Sequence, residues 1–161
     1  MYRVSQIIAS TKSNFLWKND SHTIVVGFMD DCNIDSLLKQ LSSNGSHSGK
    51  NLSLRFENLK GNDLLPVIDI YLNLEQENTP KEKNYVGSMG LYGLAESSIE
   101  SPGHDGSGQH RIFDVGQVFN SVCTQANWSE KQFKLTLMPY NSLSTDATLA
   151  IGRILLYFYE S

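Results

Sequence analysis

The sequence predicts an all-β domain: an antiparallel, jelly-roll-like β-sandwich of about seven to eight strands with two short helices. Two observations lead there. In "NLSLRFEN", Leu52, Leu54 and Phe56 fall on one side of an extended chain while Ser53, Arg55 and Glu57 fall on the other. In "VIDIYLNL", Ile68, Ile70, Leu72 and Leu74 share a side opposite Asp69, Tyr71 and Asn73. Side chains alternate across a strand, so both segments read as parts of a sheet buried on one face. A third observation is an absence: no strand–helix–strand rhythm of the kind that builds a parallel sheet runs through the chain.

Taken in order, "RVSQIIA" (3–9) and "HTIVVGF" (22–28) are rich in β-branched residues and read as strands. "NFLWKND" between them reads as a short strand or turn. In "CNIDSLLKQLSS", Asn33 suits a helix cap, Asp35 suits the positive helix end, and Ile34, Leu37, Leu38 and Leu41 share one face. "SSNGSHSGK" is a polar glycine-containing loop. After the two alternating strands comes "EQENTPKEK", a charged connection. "NYVGSMGLYGL" has β character with three glycines, which points to a bulge or a close backbone approach. "AESSIESPGHDGSGQ" reads as a long irregular loop and "HRIFDV" as a strand. Asp114 suits the cap of a brief helix in "VGQVFNSVC". "KQFKLTLMP" alternates again, with Phe133, Leu135 and Leu137 inward. "ATLAIGRILLYFYE" closes the chain as a long strand, with Gly152 expected at a bulge.

The 161 residues suit a single domain over 1–161, with a core that needs no disulfide staples. Apolar residues make up 40% and charged residues 19%, which is globular composition. The net charge of -4 and the lack of any Lys/Arg run argue against nucleic acid as a partner. No apolar stretch approaches the ~20 residues that span a bilayer, so no membrane partner is expected. The first ten residues are too weakly apolar for a signal peptide, and a cytoplasmic location is the expectation. Cys32 and Cys123 fit either one disulfide or two buried thiols. Asn19, Asn44, Asn51 and Asn127 stand in sequons, read as chance without an export signal.

The chemistry-bearing residues are sparse. The four histidines are His22, His47, His104 and His110. Only His104 and His110, in "HDGSGQH", lie close together. With Asp105 they are the candidates for a weak surface metal site, against the plainer reading of solvent-exposed loop histidines. The glycines of "GHDGSGQ" are not a phosphate cradle, because no Lys-Ser/Thr follows and no long helix begins there. "VGSMG" resembles a nucleophile elbow only superficially. Glu96 and Glu100 read as solvated loop carboxylates, and Asp30 and Asp31 as partners of the first helix. Trp17, Tyr71, Tyr85, Tyr92 and Trp128 are candidates for an exposed aromatic row that would bind sugar. No catalytic residue and no cofactor-binding residue is expected from these patterns.

The ordered set of segments carries more than any one motif. "LSLRFENLKG", "PVIDIYLNL", "YVGSMGLYGL", "HDGSGQHRIFDV", "NWSEKQFKLTLMP" and "ATLAIGRILLY" together resemble the C-terminal β-sandwich domain of the tyrosinase and polyphenol oxidase family of type 3 copper proteins. The likeness runs from about Arg3 to Tyr159. In that family a separate helical domain holds two coppers on six histidines and oxidises phenols. This sequence has no helical His-x-x-x-His pair, so none of those copper ligands maps here. The resemblance therefore implies a non-catalytic accessory or lid domain, with copper in the partner domain and no cofactor in this chain. The implied partner is a tyrosinase-like catalytic domain, on the same polypeptide or a separate subunit. The resemblance also implies a plugging side chain at the mouth of the copper site. Leu91, Tyr92 and Leu94, flanked by glycines in "GLYGL", are the candidates, against the plainer reading that both leucines are core and Tyr92 caps the sheet. A tethered ring over a dry cavity has a high effective concentration, which makes such a plug physically sensible. "HDGSGQH" is then expected to be a flexible loop near the partner surface. Two other readings stay open: a free-standing binding module for carbohydrate or protein, and a small enzyme using the His104/His110 region.

Overall fold

The alternating segments become one curled antiparallel sheet. The computed structural model describes residues 3–11, 15–18, 22–29, 50–61, 67–73, 82–91, 98, 100–101, 104–105, 108–124, 132–139 and 148–160. In chain order the strands are β1 (Arg3–Ser10), β2 (Phe15–Lys18), β3 (His22–Phe28), β4 (Lys50–Gly61), β5 (Ile68–Asn73), β6 (Tyr85–Met89), β7 (Glu100–Ser101), β8 (His104–Asp105), β9 (Gln109–Asp114), β10 (Gln132–Pro139), β11 (Thr148–Ile151) and β12 (Arg153–Glu160). Among the described residues a 3-10 turn, Glu82–Asn84, precedes β6, and a helix, α1 (Gly116–Thr124), follows β9. The first expected helix, over 33–41, lies outside the described residues.

Eight strands pair in the spatial order β9-β4-β12-β1-β3-β10-β5-β6, every neighbour antiparallel. β11 and β2 extend the sheet beside the C-terminal end of β4. β7 and β8 form a separate short ladder, in a stretch expected to be irregular. The all-β antiparallel expectation holds. The layering differs: the sheet curls on itself as a half-barrel instead of stacking as two layers of a jelly roll. Alternation says which side of a strand is buried. It does not say whether the opposite wall is a second sheet or the far part of the same one. The curl goes with register shifts in β1, β4 and β6, because each bulge bends its strand and raises its twist.

The inward row is continuous across the curl, with Ile24, Leu54, Phe56, Leu72, Leu135 and Leu156 fully or almost fully buried. β12 sits mid-sheet between β1 and β4 and is buried on both faces. Leu155 and Tyr157 are covered on the face opposite Ile154, Leu156 and Phe158, which accounts for the unbroken apolar run "ILLYF". Helix α1 closes one end of the curl. Asp114 starts it as expected, its Oδ1 accepting the Gly116 N–H at 3.2 Å. Phe119 then packs edge-on to Phe133, ring centres 6.1 Å apart, and against Phe28, also 6.1 Å away.

Candidate functional site

Strand directions place the two ends of the half-barrel. One end carries α1. The other gathers the C-terminal ends of β4, β6 and β10 with the N-terminal ends of β5, β9 and β12, in register at Ile68, Met89 and Pro139 on one side and at Glu57 and Arg153 on the other. The segments around residues 91 and 108 therefore leave from this second end, the mouth.

The mouth is shaped by a slip in phase that two neighbouring strands share. In β4 the buried apolar residues run Leu52, Leu54, Phe56 and then Leu59, a step of three. In β11 and β12 they run Leu149, Ile151 and then Ile154, again a step of three. Asn58 absorbs the slip in β4 with φ 55, a left-handed conformation that Asn tolerates better than most residues. Gly152 absorbs it opposite. Its N–H donates to the Glu57 carbonyl at 3.0 Å, and a Cβ there would come within 2.7 Å of Asn58 Cβ. The Glu57 carboxylate accepts Arg153 Nε at 2.7 Å, and Arg55 Nε lies 3.3 Å away, so two cations flank the kink.

"HDGSGQH" meets this kink directly. Its first two residues form β8 and its last two begin β9, so the segment expected to be flexible is strand at both ends. Gly108, at φ +90, lies so close to β4 that a Cβ would collide with the Leu59 carbonyl oxygen. His110 Nδ1 accepts the Asn58 N–H at 3.4 Å. Arg111 then reaches sideways: Nη1 donates to the His110 carbonyl at 2.9 Å, and Nη2 donates to Gln109 Oε1 and to the Gly90 carbonyl, the latter at 3.0 Å.

The expected site residues are distributed as follows. Leu91 is 7% exposed and belongs to the core, directly after exposed Gly90. Tyr92 and Leu94 lie outside the described residues. His104 pairs with Ser101 and Asp105 with Glu100 through the backbone of the β7–β8 ladder. His110 is exposed on β9. Among the described residues no group of three or more His, Cys, Asp and Glu side chains is set to hold a metal ion. Arg111, Gly90 and Asn58 were not singled out from the sequence. Only Asn58 left a signal there, in the step of three between Phe56 and Leu59.

A second cluster lies on the outer face of β5 and β6. Tyr71 and Tyr85 meet edge to face with centres 5.6 Å apart, and Tyr85 is 40% exposed. Tyr85 shares a hydrogen bond with Ser88, which donates to Asp69 Oδ1 at 2.5 Å. Partial burial, and then the charges of Asp69, Tyr85 and Glu82, raise the Tyr71 phenol above its ordinary range. Of the other aromatic candidates, Tyr92 and Trp128 lie outside the described residues.

This curled antiparallel sheet, closed at one end by a short helix, matches the C-terminal portion of latent polyphenol oxidases. The chain superimposes on recombinantly expressed latent aurone synthase, a polyphenol oxidase, with a TM-score of 0.56 at 14% identity, covering 98% of this chain and 28% of that one. It also matches latent apple tyrosinase with a TM-score of 0.48 at 15% identity, covering 94% of this chain and 27% of that one. In sequence it is 30% identical over 108 residues to the tyrosinase HcTyr1 of Hahella sp. (strain CCB-MM4), 67% of this chain and 23% of that protein. The chain thus spans about a quarter of the length of the relatives it matches. By its own sequence it belongs to the family described as Domain of unknown function (DUF7868), matched over residues 4–159.

Proposed function

We propose that this chain is a non-catalytic accessory domain of a tyrosinase-like type 3 copper oxidase, packing over the di-copper site of a separate catalytic domain and controlling access to it. The observation that carries the reading is the likeness to latent aurone synthase over 98% of this chain. The sequence likeness to the tyrosinase of Hahella sp. supports it independently. In this reading the mouth faces the partner, because Gly90, Leu91 and Gly108 are anchored there. Tyr92 and Leu94, just beyond buried Leu91, are the side chains to test as the plug. Copper belongs to the partner in this reading, which supplies the dioxygen chemistry. This chain contributes shape and a local concentration of apolar surface at the entrance.

The test is steady-state phenol oxidation by the copper-loaded tyrosinase-like catalytic domain, with and without this chain. Covering the entrance competes with substrate, so the chain raises the apparent KM and leaves kcat close to its uncovered value. Phenol oxidation indifferent to a saturating excess of the chain removes the reading.

A further inference from the structure

β9 and β6 are the two ends of the eight-strand path, and they run antiparallel to one another. Paired to each other they would close a barrel. Among the described residues no β-ladder joins them, yet they touch. A Cβ on Gly87 of β6 would lie 2.9 Å from the Phe113 ring of β9, so ring and backbone are already in contact there. The seam is thus filled by a side chain where a ladder would otherwise run. Phe113 stacks edge-on to Phe56 of β4, ring centres 5.9 Å apart, which holds the ring at the seam. Toward the mouth the filling changes from apolar to polar. Arg111 crosses from β9 to the Gly90 carbonyl just beyond β6. The same guanidinium is held from behind by the His110 carbonyl and by Gln109. A planar fork with fixed donors can bridge several oxygens at once, which a lysine ammonium on a flexible stem does poorly.

We propose that Arg111 is a side-chain staple across this open seam, and that the staple fixes the shape of the mouth presented to the catalytic partner. The second half rests on the accessory-domain reading above; the first does not. The seam is the one line around the curl without backbone hydrogen bonds between its strands among the described residues. Its opening therefore costs only side-chain contacts, and local opening follows the weakest line of a structure. At the mouth, that contact is Arg111 to Gly90. Gly90 is followed at once by Leu91, which is held in the core, so the Arg111 contact fixes the corner between the end of β6 and that anchor.

The experiment compares wild type, Arg111→Met, which keeps the stem and loses the donors, and Arg111→Lys. Amide hydrogen exchange is followed on the chain alone. The expected result is exchange at least about tenfold faster in Arg111→Met at Gly90–Leu91 and at Gln109–Arg111, with α1 and β12 unchanged. Arg111→Lys falls between the two. Unchanged exchange at the mouth, or an even rise over the whole sheet, overturns the staple. Should Arg111→Met fail to fold, Arg111→Lys alone decides by the same pattern. Phenol oxidation with the copper-loaded catalytic domain is then measured with each variant. Arg111→Met lowers the apparent KM toward that of the uncovered enzyme at unchanged kcat. Wild type and Arg111→Met inhibiting equally overturns the link to the partner. If wild type does not inhibit at all, the accessory-domain reading fails together with that link, and the exchange pattern still decides the staple.

Discussion

Arg111 Nη2 donates to the Gly90 carbonyl at 3.0 Å, tying β9 to the residue just beyond β6, two strands that no ladder pairs among the described residues. The two residues lie in different sequence segments, "VGSMGLYGL" and "HDGSGQHRIFDV". One hydrogen bond therefore brings together both stretches for which the sequence suggested a role, at the end of the half-barrel opposite its closing helix.

The shared kink gives a stability prediction. Gly152→Ala places a methyl 2.7 Å from Asn58 Cβ, and overpacking against backbone-anchored atoms costs about 1–3 kcal/mol. Gly108→Ala adds a strained φ to a collision with the Leu59 carbonyl oxygen and is expected to lose more. Urea unfolding checks both: each midpoint falls, Gly108→Ala further, with little change in slope.

Closure by α1 is tested at Phe119, which is fully buried against Phe28 and Phe133. Phe119→Ala is expected to cost about 3–5 kcal/mol through lost burial and a cavity. Thermal unfolding would show a markedly lower midpoint. A near-neutral result means that the helix does not complete the core.

Tyr71 gives a pH dependence. Burial first, then Asp69, Tyr85 and Glu82, raise its phenol. Its neutral form is therefore favoured more in the folded chain than in the unfolded one. The associated stability is fully present below the ordinary phenol value of about 10 and is lost as pH rises through the higher folded value. Asp69→Asn should lower the Tyr71 value only in part, since burial is the larger cause. Site-resolved NMR titration measures both, and an Asp69→Asn titration superimposable on wild type contradicts the assigned charge contribution.

Copper titration bears on His104, Asp105 and His110. His110 Nδ1, whose lone pair a metal would take, already accepts from Asn58. The chain alone is expected to show no sub-micromolar copper binding by calorimetry. Tight binding abolished in a His104→Ala, His110→Ala variant would establish a site of its own.

Strand positions were legible because alternation is a direct consequence of strand geometry. β3 matches its expected limits, and β1, β4, β5 and β10 are recovered within a few residues. Gly152 was also legible, since a glycine inside an apolar strand marks a kink. The curl was not legible. It depends on register shifts such as that between Ile7 and Ala9, which no local pattern announces. The β7–β8 ladder was hidden because two-residue strands leave no periodicity to detect. Arg111 was hidden for another reason: a lone arginine in an alternating strand looks like an ordinary solvated residue. Its contact with Gly90 exists only once the two sheet ends are brought side by side.

On the accessory-domain reading, the mouth and not the helix-closed end meets a copper-loaded catalytic domain. The most direct measurement is amide hydrogen exchange on this chain with and without a saturating amount of that domain. Slower exchange confined to Val67, exposed at the mouth just before β5, and to Gly90, Leu91 and Gln109–Arg111, with α1 unaffected, is the predicted result. Protection centred on α1, or a trace identical to that of the chain alone, would contradict it.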